Sequence, residues 1–271
     1  MDYENDNGIG LICEYLNQQL GFTYTLQKKY LIQARLNRRL VELNLPSYES
    51  YLKMIRNTPH ELSYFFDLLT TNVTSFFREN YQFQIMEREL LPAMLKSVVQ
   101  TKKVRCWSAG CSSGEEAYTL AMVLREALGE DWNIKVLASD ISVRRLQEGM
   151  AGVYSEEKLK GVPSLLREKY FEANPKKEGL FRVKPNLRKV VIFRKININQ
   201  DLGIPNNIQF DFIFCRNVFI YFSQEAREKA LNRFHHYLNP NGYLLVGQSE
   251  PIHFTNSTKW ALIKNCIYQK K

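Results

Sequence analysis

The chain has no apolar run approaching the ~18 residues that a membrane-spanning helix needs, so no transmembrane segment is expected. Its opening residues, Met1 to Asn7, are acidic and polar, without the basic-then-apolar layout of a secretory signal. These two absences lead to the expectation of a cytoplasmic protein with no direct membrane insertion. Cysteine is scarce: Cys13, Cys106, Cys111, Cys215 and Cys266 are odd in number and form no CxxC pair. That speaks against a disulfide framework and against a zinc site, and leaves buried small hydrophobes in a reducing compartment as the expectation. The four histidines (His60, His235, His236, His253) show no HExxH and no ligand spacing, so no metal is expected. Internal repeats and low-complexity segments are also missing. Acidic residues are outnumbered, 28 against 37 Lys and Arg, which gives a net charge of +9. The excess favours an acidic partner, whether nucleic acid, anionic membrane or acidic protein surface, without choosing among them.

What is present divides into two regions. Residues 8–97 read as helical throughout, with helical spacing over 8–20, 26–43, 47–56, 59–69 and 81–95. Pro46-Ser47 and Thr58-Pro59 read as helix starts. Residues 102–268 alternate strands with helices. Strands are expected at 103–108, 134–139, 190–194, 210–215 and 242–248, and a last one, antiparallel at the edge, at 260–268. Helices are expected at 115–128, 143–150, 164–170 and 224–238. Apolar strands alternating with helices mean a mostly parallel sheet covered on both faces. The segment between Phe171 and Lys189 reads as a small β-hairpin insert. The expected organisation is a helical domain at 1–98 and an α/β domain at 99–271 with a β insert at about 171–189.

The most informative stretch runs from Val104 to Tyr118. An apolar strand enters a turn bearing Gly110 and Gly114, and the turn opens a helix that begins Glu115-Glu116. Such a turn suits a nucleotide-like ligand at the carboxyl ends of a parallel sheet. A pyrophosphate would want bare N–H groups and a positive helix dipole there. Two carboxylates oppose it and suit a cationic or hydroxyl-rich ligand, which makes a dinucleotide oxidoreductase a poor fit.

Other stretches converge on the same cleft. The second strand ends in Asp140, about thirty residues past Gly110, where a carboxylate can accept both hydroxyls of a ribose. The competing reading is a helix cap by Asp140 or Ser142. Arg216 and Asn217 follow the strand Phe210-Asp-Phe-Ile-Phe-Cys215; Arg216 either faces an anion in the cleft or pairs with a structural acid such as Asp211. Asn72, Thr74 and Arg78 alternate with apolar residues in a segment that also reads as a capped loop. Tyr221 and Tyr243 fall near strand ends, to stack on a base, line an entry or pack in the core. In the helix at 26–43, Ile32, Leu36, Leu40 and Leu43 share one face. Lys28, Arg35 and Arg39 share another, with Arg38 beside them.

The segments TTNVTSFFRE, WSAGCSSGEEAYTLA, ASDIS and FDFIFCRNVFIYF, in this order and followed by GYLLVGQSE, closely resemble CheR-type chemotaxis receptor methyltransferases. The resemblance covers essentially the whole chain. It implies a Rossmann-like S-adenosylmethionine-dependent methyltransferase domain with a small all-α N-terminal domain that recognises the receptor. It implies methylation of glutamate side chains on the acidic coiled-coil cytoplasmic region of methyl-accepting chemotaxis receptors, with S-adenosylhomocysteine as product. By motif position it assigns cofactor contacts to Asn72, Thr74, Arg78, Glu115, Asp140, Asn197, Ile198, Arg216 and Asn217. Thr74 and Arg78 would hold the methionine end, Asp140 the ribose, and Asn197 would face the adenine. Some family members grip a receptor tail peptide with the hairpin insert and others do not; the sequence leaves that open here.

A receptor glutamate, with an ordinary pKa of about 4.3, is already ionised at neutral pH. Positioning rather than a general base is therefore expected to carry the reaction, which fits the lack of a triad or catalytic histidine. Lys28, Arg35, Arg38 and Arg39 are expected to steer the acidic receptor helix. Two alternatives remain. An RNA methyltransferase is allowed by the charge, but no N/D-P-P-Y/F run or RNA-binding module is present. A non-catalytic module that senses the cofactor would carry the same binding residues.

Overall fold

A computed structural model describes residues 6–23, 26–70, 73–98, 100–175, 177–252 and 258–271. Four helices come first: α1 (Asp6–Leu20), α2 (Leu26–Glu42), α3 (Tyr48–Asn57) and α4 (Pro59–Leu69). Ser47 caps α3 by accepting from the Ser50 N–H, and the Ser50 hydroxyl answers in a reciprocal box. Pro59 sits in the first turn of α4, where its missing N–H costs nothing. The apolar face of α2 is as expected: Ile32, Leu36 and Leu40 are buried.

The expected helix at 81–95 is instead interrupted. It runs as α5 (Asn80–Ile85), a π turn at Met86–Leu90 and α6 (Leu91–Val98). Phe83, Met86, Leu90, Leu91 and Met94 share a core with Val104, Cys106 and Phe214 of the sheet rather than with α1–α4.

The rest alternates strand and helix: β1 (Lys103–Ala109), α7 (Glu115–Leu128), β2 (Asn133–Asp140), α8 (Val143–Ala151), β3 (Val153–Ser155), α9 (Ser164–Tyr170), β4 (Phe171–Ala173), β5 (Leu180–Val183), α10 (Pro185–Arg188), β6 (Val191–Lys195), β7 (Phe210–Cys215), α11 (Gln224–Tyr237), β8 (Leu238–Val246), β9 (Trp260–Lys264) and β10 (Ile267–Lys270). Seven strands form one sheet in the order β6-β2-β1-β7-β8-β10-β9. The first five run parallel and β10 is antiparallel to both of its neighbours. The order reverses between β1 and β7, so a crevice opens there above the carboxyl ends of the strands.

Alternate side chains feed two cores. Trp107, Ala109, Phe210, Ile213 and Leu244 pack in one core with α1–α4 and α11. Val104, Cys106, Phe212, Phe214 and Leu245 pack in the other with α7. Every residue of β7 is buried, as expected of a strand covered on both sides.

Two expectations need correction. The last strand is a hairpin, not a single strand: β9 and β10 are separate, and Cys266 takes a left-handed φ of 59° at the turn between them. The insert is larger than the expected hairpin: β4 and β5 pair as that hairpin, and β3 adds a third antiparallel strand in the order β3-β5-β4. Its third strand, β3, comes from before the expected segment.

Candidate functional site

The cleft is built where β1 ends. Gly110 has φ +87°, and a Cβ there would come within 2.5 Å of the Val218 side chain, so only glycine fits the turn. Its N–H and that of Cys111 donate to the Ser139 carbonyl, locking the β1 turn to the end of β2. Asp140 ends β2. Its Oδ2 accepts from the Ser112 N–H (2.8 Å) and its Oδ1 from the Ser142 N–H (2.9 Å). Ser142, not Asp140, provides the side-chain cap of α8. Asp140 therefore borders the cleft as a fixed acceptor with lone pairs to spare. Burial pushes its pKa up, and the backbone donors from Ser142 and Ser112 only partly offset this.

Arg216 follows β7 and its guanidinium is almost fully buried. It does not pair with Asp211, which is held by the Arg105 N–H and the Asn239 amide. One of its nitrogens donates to the Arg78 carbonyl (2.5 Å). Its other contacts are looser: Glu79 at 3.5 Å, Glu116 at 3.7 Å and the face of Phe83 at 5.2 Å. Its Nε and Nη1 have no hydrogen-bond partner among the described residues. Glu116 accepts from the Ser108 hydroxyl (2.6 Å) and borders the cleft. Burial raises its pKa, against the pull of Arg216 and Ser108.

Of the expected cofactor residues, Thr74, Arg78, Asp140, Asn197, Ile198, Arg216 and Asn217 meet around this one cleft. Asn72 lies outside the described residues. Glu115 is not among the residues that border the cleft. Its side chain has no exposure and points away from the cleft, toward the insert. There it accepts from Lys158 Nζ (2.5 Å) and from the Ser113 hydroxyl. Glu116, one position on along α7, does border the cleft.

Asn197 borders the cleft, but its amide is engaged: Nδ2 donates to the Gln19 carbonyl (2.8 Å) and Oδ1 accepts from the Asn199 N–H. Tyr221 borders the cleft too. Tyr243 does not; it stacks on Phe212 in the core, with ring centroids 5.6 Å apart.

Two residues of the basic stripe of α2, Arg35 and Arg39, make contacts within the helical region. Arg39 grips buried Glu61 with two nitrogens (2.9 and 2.6 Å) and also reaches Glu42. Arg35 donates to the Leu68 carbonyl near the end of α4. Of the three described side chains, Arg38 is the one that stays well exposed, paired with Glu42 one turn on. The side chain of Lys28 lies outside those described.

Sequence reasoning also missed Glu250. It is 2% exposed and accepts from the N–H groups of Asn217 (2.6 Å), Gly247 and Ile220 (both 2.9 Å). It fastens the loop after β7, which carries the cleft wall, to the turn after β8. GYLLVGQSE contains this glutamate, and that was the available signal.

A buried guanidinium with idle donors, two nearby carboxylates and a ribose-competent aspartate fit a ligand that carries a cation, an anion and vicinal hydroxyls. Comparison with known proteins gives the same answer. The family "CheR methyltransferase, SAM binding domain" matches residues 72–268, and "CheR methyltransferase, all-alpha domain" matches residues 7–70. The chemotaxis protein methyltransferase of Borreliella burgdorferi is 36% identical over 89% of this chain and 87% of its own length. Chemotaxis protein methyltransferase 2 of Pseudomonas aeruginosa is 37% identical over 88% and 84%, and the Escherichia coli chemotaxis protein methyltransferase is 35% identical over 88% and 82%. The chain belongs to the CheR methyltransferase family, the S-adenosylmethionine-dependent protein-glutamate O-methyltransferases of chemotaxis.

Proposed function

We propose that this protein, acting in the cytoplasm, methylates glutamates on the acidic coiled-coil region of chemoreceptors, and that the cleft above β1 and β7 holds the methyl donor. The observation that carries this reading is the under-satisfied charge cluster of Arg216, Glu79 and Glu116 beside Asp140. In this reading Glu116 faces the donor's ammonium group, Arg78 and Thr74 its carboxylate end, and Asp140 its ribose. Ile198 and the Asn197 segment flank the base. Arg216 and Asn217 brace the wall, and Asn72 is placed by the motif alone. When bound, S-adenosylmethionine supplies a sulfonium methyl group, which a receptor glutamate oxygen takes to give a methyl ester and S-adenosylhomocysteine.

The chain's own part is positioning. Opposite charges cancel as the methyl moves, so water, which favours separated charges, retards the step. Phe83, Val218 and Ile220 give the cleft apolar walls that exclude it. No histidine borders the cleft among the described residues, and none is needed for a nucleophile that arrives ionised. The Arg78 carbonyl orients Arg216 through one nitrogen, and the charges of Glu79 and Glu116 within 3.7 Å offset its own, which keeps it from neutralising the incoming glutamate.

Receptor recognition falls to the helical region, whose seam with the α/β unit we draw near residue 70, because the side chains of 76–94 pack with the sheet. The test is incubation with methyl-labelled donor and a receptor cytoplasmic fragment. Base-labile label on glutamate is expected; its absence across several receptors, or label on RNA instead, would overturn the reading.

A further inference from the structure

The connection between α1 and α2 is more than a linker between two helices. Its described part, residues 20–23, borders the cleft through Leu20 and Phe22 and is tied down on both sides. On the β6 side, Asn197 donates to the Gln19 carbonyl (2.8 Å) and Gln200 donates to the Gln19 side chain (3.1 Å). On the β7 side, the Thr23 N–H donates to the Tyr221 carbonyl (2.8 Å) and the Ser223 N–H donates to the Gly21 carbonyl (2.7 Å). Phe22 and Phe222 form an antiparallel bridge there. The Phe22 ring lies 5.5 Å from Tyr221 and 5.8 Å from Phe222.

Gly21 makes this seat possible. Its φ is +69°, and a Cβ would fall 2.3 Å from the Ala226 Cβ. A strap this tightly registered is rigid, and it places two apolar side chains, Leu20 and Phe22, on the cleft itself. Beside them the cleft is bordered by Ile196, Ile198 and Ile141, with Asp140 at the end of β2 as the charged group next to them, whereas Arg78, Glu116 and Arg216 gather around the loops after β1 and β7. Pockets that bury a flat heteroaromatic base are lined in this way, apolar with a few polar groups at one side.

We propose that the strap Leu20-Gly21-Phe22-Thr23 is a wall of the cofactor site at its adenosine end, so that the helical domain itself sets cofactor affinity. The inference rests on the cofactor reading given above. It adds a contribution from a region that the motif residues, all at position 72 or later, do not include. Phe22 shields the base from water, and the two backbone bonds to the loop after β7 hold Tyr221 in place.

Calorimetric titration of the full chain with two probes tests this. One is S-adenosylhomocysteine. The other is 5′-methylthioadenosine, which keeps the adenosine and lacks the amino-acid end. Phe22→Ala is expected to weaken both probes by the same factor, on the order of tenfold. Gly21→Ala, which unseats the strap without deleting an apolar side chain, should move both in the same direction. Phe22→Leu should recover most of the loss and guards against an Ala variant that fails to fold. In turnover, the Phe22 variants should raise KM for the donor and leave kcat within about twofold, a split that general destabilisation does not produce. As a contrast, Arg78→Ala should weaken S-adenosylhomocysteine alone. Folded Phe22 and Gly21 variants that bind both probes as well as the native chain would overturn the proposal, as would a loss confined to S-adenosylhomocysteine. Failure of the native chain to bind S-adenosylhomocysteine would instead reject the cofactor reading beneath it.

Discussion

Two clusters of buried charge, one in each half of the molecule, are built from the same residue types and do opposite things. In the helical domain, Glu61 is bound by Arg39 through two short contacts and by the Tyr51 hydroxyl at 2.8 Å. Burial pushes the Glu61 carboxyl up, but Arg39 and Tyr51 outweigh it and hold its pKa below the ordinary value. Every partner is supplied by the chain. In the cleft, Arg216 meets Glu79 and Glu116 only at 3.5 and 3.7 Å, two of its nitrogens are idle, and burial leaves Glu116 and Asp140 with raised pKa values. The first cluster is closed and serves the fold. The second is open and awaits a ligand. Burial of charge alone does not separate the two; the completeness of pairing does.

The largest effect should come from breaking the closed cluster. Arg39→Met leaves Glu61 buried without its cation, and urea unfolding should show a loss of about 3 kcal/mol. Affinity for S-adenosylhomocysteine should stay within about twofold, because no member of that cluster borders the cleft. Next comes the open cluster. Glu116→Gln should weaken S-adenosylhomocysteine about tenfold or more, the scale of a charge-assisted hydrogen bond, with little change in the urea midpoint.

The pH dependence sharpens the contrast. The raised pKa means that Glu116 takes up its proton at a higher pH than an ordinary glutamate. Only the ionised form attracts an ammonium group, so affinity is full above the raised value and falls as pH drops through it. Titrations at a series of pH values should show this decline starting above the ordinary glutamate range and shallower in Glu116→Gln, with Asp140 carrying the remainder. The smallest effect belongs to the surface. Arg38→Glu should leave the urea midpoint unmoved, since an exposed pair contributes little. It should slow receptor methylation at low salt and lose that effect at high salt.

The sheet was readable because its parallel strands are apolar on both faces and separated by helices, and β1, β2, β6 and β7 lie within a residue of where the pattern places them. β3 escaped because three residues carry no periodicity. The β9–β10 turn escaped because Cys266, rather than a glycine or asparagine, adopts the left-handed conformation. Motif residues converge on the cleft because strand ends are legible. The different surroundings of the neighbours Glu115 and Glu116 were not legible by position, since Lys158, which holds Glu115, lies more than forty residues on in the insert. In α2, helical spacing shows which residues share a face, but not that Glu61 and the Leu68 carbonyl wait opposite it. The strap at 20–23 was passed over as the gap between two helices, because its partners lie about two hundred residues away.

Two adjacent carboxylates, Glu115 and Glu116, compete for the role of serving the ligand. Calorimetric titration of S-adenosylhomocysteine into Glu115→Gln and Glu116→Gln decides it most directly. The account predicts a marked loss of affinity for the Glu116 variant and near-native binding for the Glu115 variant. The reverse order, or unchanged binding in both, would contradict it.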